Sequence, residues 1–213
     1  MNNRLIQYIS FGNQSNIELS KSLDSLLGLN IDSDIQITTD NLLTKLNNRL
    51  SINLVNPISS NNIINSRYYK TQLINYSREL NLYLDSDTRV LSKEIENIFD
   101  ILEDDFDLAI SYSNHQDSNS FWHLDNQDRE QIFNDLGYNP LQYQCGVFGY
   151  RNNQNTARFF RYWFNEWDRY KGQDQGAFVR ALHMNPIRIF ILGQSFNDSK
   201  GTIIQHNFGR IRG

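Results

Sequence analysis

Leu82-Tyr83-Leu84-Asp85-Ser86-Asp87 sets the architecture of this chain more firmly than any other segment. Three successive apolar residues predict a buried strand, and two carboxylates separated by one residue follow it. An apolar core does not hold two unpaired acids side by side, because burying an unpaired charge is costly. At the carboxyl end of a strand they can share a divalent metal, and open α/β sheets bind ligands at that edge. Taken alone, D-x-D is a weak signal, since acids at strand ends also cap the next helix or face solvent.

The segments on either side supply the rest of an α/β pattern. Residues 5–9 read as a first strand, ending at Ser10-Phe11-Gly12-Asn13. Ser15-Asn16-Ile17-Glu18 has the S-x-x-E form of a capping box. Leu19, Leu23, Leu26 and Leu27 follow at helical spacing, and Gly28 is a natural stop. Residues 34–38 alternate as a second strand that reaches Thr39 and Asp40, and residues 51–55 form a third, stopped by Pro57. A helix is expected over 67–76, the fourth strand over 82–84, and a short helix from about Ser92. Residues 108–111 and 147–150 read as strands, 174–182 as a helix and 188–192 as a late strand. Phe159, Phe160, Trp163, Phe164 and Trp167 make one aromatic helix face, which reads as core. Residues 113–143 are polar and aromatic without a clear period, and a long stretch of that kind is more often functional than idle. The alternation predicts an α/β fold: a single Rossmann-like domain over residues 1–213, with a largely parallel central sheet flanked by helices.

Composition narrows the classes of function. Apolar residues make up 39% of the 213 and aromatic residues 13%, enough for a real core, despite a mean hydropathy of −0.58. The formal charge is −4, from 20 basic and 24 acidic residues. That argues against a general nucleic-acid-binding protein, which needs a basic face. The single cysteine, Cys145, cannot form an internal disulfide, and no signal peptide or transmembrane segment is seen, so a cytoplasmic location is expected. Cys145 reads as a small packing residue.

Several patches, in order, resemble the GT-A-type nucleotide-sugar glycosyltransferases, in particular the glycogenin and bacterial galactosyltransferase type. Tyr83-Leu84-Asp85-Ser86-Asp87-Thr88-Arg89-Val90 is similar to that family's Y-L-D-x-D-x-x-V. His206-Asn207-Phe208-Gly209-Arg210-Ile211-Arg212 is similar to its H-x-x-G-x-x-K, with Arg212 in the lysine's place. Lys70 falls near a basic residue that touches the donor, and Asp174-Gln175 looks like the D-Q pair before the late helix. Tyr143-Gln144-Cys145-Gly146-Val147 resembles the F-N-x-G-V strand, with Gln144 for Asn. The likeness runs from Leu5 to Arg212, nearly the whole chain, although its specific residues are confined to these patches.

The resemblance implies transfer of a sugar from a nucleoside diphosphate sugar, a UDP-sugar, to an unknown acceptor, with retention by front-side attack. It implies a metal held by Asp85, Asp87 and His206. Hard carboxylate oxygens with an imidazole nitrogen suit Mn²⁺, or Mg²⁺. Such an ion stabilises charge growing on a departing diphosphate. Lys70 and Arg212 would add positive charge there, a guanidinium gripping phosphate in a bidentate way. Gly209 would admit the backbone close to phosphate. Phe11, Ser86 and Gly146 complete the expected donor-binding set. Asp174 and Gln175 would face the donor sugar, with Gln175 near the anomeric carbon. Trp122 and His123 are acceptor-site candidates by aromatic stacking.

Plainer readings stand beside these. His206, like His115, His123 and His183, can be structural. Asp174 can be only the N-cap of its helix. Arg67 can pair with a surface acid, where it is worth little. Phe11 or Tyr8 can stack on uracil, though Tyr8 reads as core. Glu103, Asp104 and Asp105 read as a solvated helix end. A haloacid-dehalogenase-type phosphatase wants Thr or Val where Arg89 stands, and an N-terminal D-x-D. A nucleotidyltransferase wants a glycine-rich basic loop, where this chain has Phe11-Gly12-Asn13-Gln14-Ser15. A sugar-nucleotide-binding protein without turnover is kept open by Gln144 and Arg212.

Overall fold

The structure, a computed structural model, describes residues 3–41, 48–113, 126–138 and 140–208. In chain order its elements are β1 (Arg4–Ser10), α1 (Asn13–Leu27), β2 (Asp34–Thr39), β3 (Leu50–Leu54) and α2 (Asn62–Lys70). Next come β4 (Leu80–Asp85), β5 (Thr88–Val90), α3 (Asn97–Glu103), β6 (Leu108–Tyr112) and α4 (Asn126–Leu136). The last are β7 (Tyr143–Arg151), α5 (Gln154–Tyr170), α6 (Asp174–Met184), β8 (Ile189–Leu192) and β9 (Ile204–His206).

Seven strands form one sheet in the order β3-β2-β1-β4-β7-β6-β8. The pairs β2–β3, β1–β2, β1–β4 and β6–β8 are parallel, whereas β7 runs antiparallel to both β4 and β6. The reversal places the first residues of β7 at the same sheet edge as the last residues of β4, since Leu84 pairs with Val147. A second sheet of two short strands, β5 and β9, pairs Thr88 with His206.

The central strands β1, β4, β6 and β7 are buried on both faces, as strands covered by helices on either side are. Along β4, Leu80, Leu82 and Leu84 join Leu19, Leu23 and Leu26 of α1 and Ile98, Phe99 and Leu102 of α3 in one cluster. Tyr83, pointing the other way, joins Phe148, Tyr150 and the aromatic stripe of α5 in a second cluster. Phe159, Phe160, Trp163 and Trp167 are fully buried there, and Phe164 lies edge-on to Tyr68 at 5.7 Å. The expectation that this stripe is core is met.

Several local expectations are corrected. Helix α1 begins at Asn13 behind Gly12, with no side-chain cap, so Ser15 and Glu18 make no capping box. Their side chains are used across the fold instead: Ser15 Oγ bonds Ser86 Oγ at 3.0 Å, and Glu18 pairs with Lys21 and Arg89. Residues 13–15 are thus the first turn of a helix and not a phosphate loop. The helix expected over 67–76 starts earlier, at Asn62, capped by Asn61 through Ile63 N–H, and ends at Lys70. A separate 3₁₀ turn covers Leu73–Tyr76. Thr71 causes the break, its Oγ1 donating to the carbonyls of Arg67 and Tyr68, a side-chain bond that competes with helix continuation. Part of the stretch without a clear period is α4.

Trp163 is 0% exposed, and its Nε1–H donates to the carbonyl of Asp174 at 2.8 Å. Trp163→Ala should therefore cost about 3–5 kcal/mol in urea denaturation. A loss below about 1 kcal/mol would contradict the placement of the stripe in the core.

Candidate metal and nucleotide-sugar site

The carboxyl ends of β1 and β4, the start of β7 and the first turns of α1 and α6 converge on an open cleft of about 900 Å³. Phe11, Lys70, Asp85, Ser86, Asp87, Gly146, Asp174, Gln175 and His206 all line it. These expected site residues, drawn from distant parts of the sequence, are therefore brought together. Gly209 and Arg212 lie outside the described residues, as do Trp122, His123 and His115. His183 is exposed and bonds the Tyr138 hydroxyl at 3.4 Å, away from the cleft. Tyr8 is fully buried, hydrogen-bonded to Ser22 at 3.1 Å.

At the base of the cleft, one ligand atom each from Asp85, Asp87 and His206 lie within 4.8 Å of one another. Asp85 is the last residue of β4, and Asp87 sits in the tight turn before β5. His206 reaches them because β9 pairs with β5 and the Asn207 N–H donates to the Asp87 carbonyl at 3.3 Å. Its Nε2 is 3.1 Å from Asp87 Oδ1 and 3.8 Å from Asp85 Oδ2.

Asp85 divides its two oxygens between tasks. Oδ1 accepts from the Tyr83 hydroxyl at 2.6 Å and lies 3.0 Å from Lys70 Nζ, while Oδ2 turns toward the histidine. Gly146 makes room for this arrangement. A Cβ there would stand 2.1 Å from His206 Cε1 and 2.8 Å from Asp85 Oδ2. Two carboxylates, one imidazole and a cradle that only glycine leaves open fit a divalent cation.

Lys70 stands at the end of α2, buried, and bridges the acids from the two sides of the cleft. Its Nζ is 3.0 Å from both Asp85 Oδ1 and Asp174 Oδ2, and donates to the Cys145 carbonyl at 3.3 Å. Burial alone would lower its pKa, but Asp174 and Asp85 outweigh that and hold it well above the usual lysine value. Burial likewise opposes the charged form of Asp174, yet Lys70 and Arg67 keep its carboxyl below the ordinary aspartate value. Both groups are therefore charged at neutral pH. Burial, then the Asp85 charge, pushes the Tyr83 phenol well up, so it remains a donor to Asp85.

Asp174 is the first residue of α6, not its N-cap, which is Gln173. Arg67 is no surface pair: it donates to the Gly172 carbonyl at 3.1 Å and to the Gln173 side chain, with Asp174 at 3.9 Å. Gln175 Nε2 donates to Gln144 Oε1 at 3.3 Å. Phe11 is buried in the wall of the cleft and stacks on Tyr69 at 5.5 Å. Burial raises the Cys145 thiol well above its ordinary value, in keeping with a packing role. Glu103 and Asp105 pair with Arg4, Arg151 and Arg188 on the surface, away from the cleft.

Sequence reading missed the Tyr83 hydroxyl and Asn197. The tyrosine was readable, because a residue two before a strand-end acid shares its face. Asn197 carried no local signal. No described helix is long and apolar enough to cross a membrane.

Gly146→Ala should weaken Mn²⁺ binding by about 10-fold or more, as disturbing the surroundings of a metal ligand does, while the protein stays folded by circular dichroism. Unchanged Mn²⁺ affinity in calorimetric titration would show that the ring is not held against this strand.

No protein-family model matches the chain, and no curated protein matches it. Solved structures do. A galactosyltransferase, LgtC, in complex with donor and acceptor sugar analogues superposes with a TM-score of 0.64 at 16% identity, over 97% of this chain and 87% of that one. The glycosyltransferase GlyE of Streptococcus pneumoniae gives 0.63 at 12% identity, over 97% of this chain and 55% of that one. Mouse xyloside xylosyltransferase 1 gives 0.61 at 10% identity, over 95% and 97%. With its mostly parallel sheet flanked by helices, the chain has the GT-A fold of these glycosyltransferases.

Proposed function

We propose that this chain is a metal-dependent glycosyltransferase that moves a sugar from a nucleoside diphosphate sugar, a UDP-sugar, to an acceptor, with retention at the anomeric carbon. The observation that carries the reading is the meeting of Asp85, Asp87 and His206 within 4.8 Å at the base of the large cleft. The charge balance around them supports it. Among the described lining residues, Asp85, Asp87, Asp174 and Asp198 outnumber Arg67 and Lys70, Glu18 being paired with Lys21 and Arg89. Such a cleft repels a diphosphate until a cation is added.

Asp85, Asp87 and His206 would hold a divalent ion, whose chemistry there would be Lewis-acid stabilisation of the donor's phosphates. The chain's own groups do the rest. Tyr83 and Lys70 fix Asp85 Oδ1, so that Oδ2 is the oxygen presented to the cluster. Lys70, between Asp85 and Asp174, would also offer its charge to a departing diphosphate. Asp174, ionised at neutral pH, is a hydrogen-bond acceptor for sugar hydroxyls on the far side of Lys70. Gln175, one residue on, reaches the same part of the cleft. We assign Phe11 and Ser86 to the donor's nucleoside and phosphate side, where the ends of β1 and β4 face α1. Arg212 and Gly209 keep their assignment by resemblance, and a single domain over the whole chain and a cytoplasmic location stay as proposals drawn from composition.

A second reading, a sugar-nucleotide binder without turnover, draws on the pairing of the Gln175 amide with Gln144, which occupies the group expected at the anomeric carbon. One assay separates the two. Release of UDP from a panel of UDP-sugars should require Mn²⁺ or Mg²⁺ and should fall in Asp87→Asn by at least about 100-fold, beyond the cost of losing an outer partner of a metal ligand. Metal-dependent UDP-sugar affinity with no release would establish the binder. Release at the same rate without a divalent metal would overturn the metal-dependent reading.

A further inference from the structure

His206 touches the acid pair through Nε2, and its other ring nitrogen is equally constrained. Nδ1 lies 2.8 Å from Oδ1 of Asn197, a residue that is 2% exposed at the end of the 3₁₀ turn Gln194–Phe196. The orientation of the Asn197 amide follows from its second neighbour. Nδ2 lies 3.0 Å from the backbone carbonyl of Gln144, which can only accept, so the NH₂ faces that carbonyl and Oδ1 faces the imidazole. An oxygen acceptor at 2.8 Å demands a proton on Nδ1. When the ring is neutral, Nε2 then carries the lone pair, turned toward Asp85 and Asp87.

In the metal-free protein Asp87 competes for that proton. A neutral imidazole with Asp87 Oδ1 at 3.1 Å gains most by placing its proton on Nε2 and donating to that carboxylate. The protonated nitrogen would then be the one facing the cluster, and a cation could not use it. Gly146 also bears on the ring, at Cε1, but a missing Cβ sets only position and not protonation.

We propose that Asn197 is a positioning residue that selects the Nδ1–H tautomer of His206 and so presents Nε2 as a ligand. It rests on the metal site of the function proposed above, because a cation facing Nε2 is what leaves the proton to Nδ1. Strand β7 is the anchor: the carbonyl of Gln144 orients Asn197, and Gly146, two residues on, admits the ring that Asn197 orients.

The test is long-range ¹H–¹⁵N correlation on protein saturated with diamagnetic Mg²⁺, with His206 assigned by its loss in His206→Ala. The wild-type protein should show Nδ1 protonated and Nε2 unprotonated. Asn197→Leu should move the proton to Nε2. In parallel, Mn²⁺ affinity should fall about 10–100-fold in Asn197→Leu, and should fall no further when that change is added to His206→Ala. A wild-type His206 protonated on Nε2 overturns the proposal without any variant having to fold. So does an unchanged tautomer in Asn197→Leu, or an equal Mn²⁺ loss in the His206→Ala background. No Mn²⁺ uptake by the wild-type protein would refute the metal-dependent function and the proposal with it, whereas Mg²⁺-loaded protein with Nε2 protonated refutes the tautomer assignment alone.

Discussion

Two carboxylates and an imidazole nitrogen, all within 4.8 Å, repel one another unless a positive charge sits among them. Lys70 answers for only part of that charge, since its Nζ is placed against Asp85 Oδ1 and Asp174, on the other side of Asp85 from His206. The cluster is also held rigidly. Tyr83 grips Asp85, the β5–β9 pairing fixes His206 beside Asp87, and Asn197 fixes the ring. Two carboxylates and an imidazole held this firmly together are the support that the proposed cation site requires.

The antiparallel β7 strand is what makes this possible. Were it parallel to β4, Gln144, Cys145 and Gly146 would lie at the opposite end of the sheet from Asp85. Because it runs the other way, three consecutive residues serve three groups: the Gln144 carbonyl orients Asn197, the Cys145 carbonyl holds Lys70, and Gly146 leaves space for His206. Two of these contacts use backbone atoms and the third uses the absence of a side chain. The support given to Asn197 and Lys70 therefore does not depend on the side chains at positions 144 and 145.

That same fact explains how much could be read in advance. The junction of Leu84 and Asp85 was legible because strand period and charge change together there. The α1 leucines and the α5 aromatics were legible because a 3.6-residue period survives any tertiary context. The direction of β7 was not, since neither alternation nor hydropathy encodes which neighbour a strand meets. The three residues of β9 are too few to carry a period, so His206 could be tied to the acid pair only through its place in a motif. The capping box at Ser15 failed because its two polar side chains found long-range partners, Ser86 and Arg89, that a local rule cannot see.

Sharing of one cation between a mid-chain acid pair and a histidine near the C-terminus underlies the whole functional reading. Anomalous diffraction at the manganese edge, from crystals of the protein grown with Mn²⁺ and UDP, can see that ion. One strong peak is expected among Asp85, Asp87 and His206 Nε2, with the diphosphate of UDP against the same ion. A manganese bound elsewhere, or UDP seated in the cleft with no ion among these three residues, would refute it.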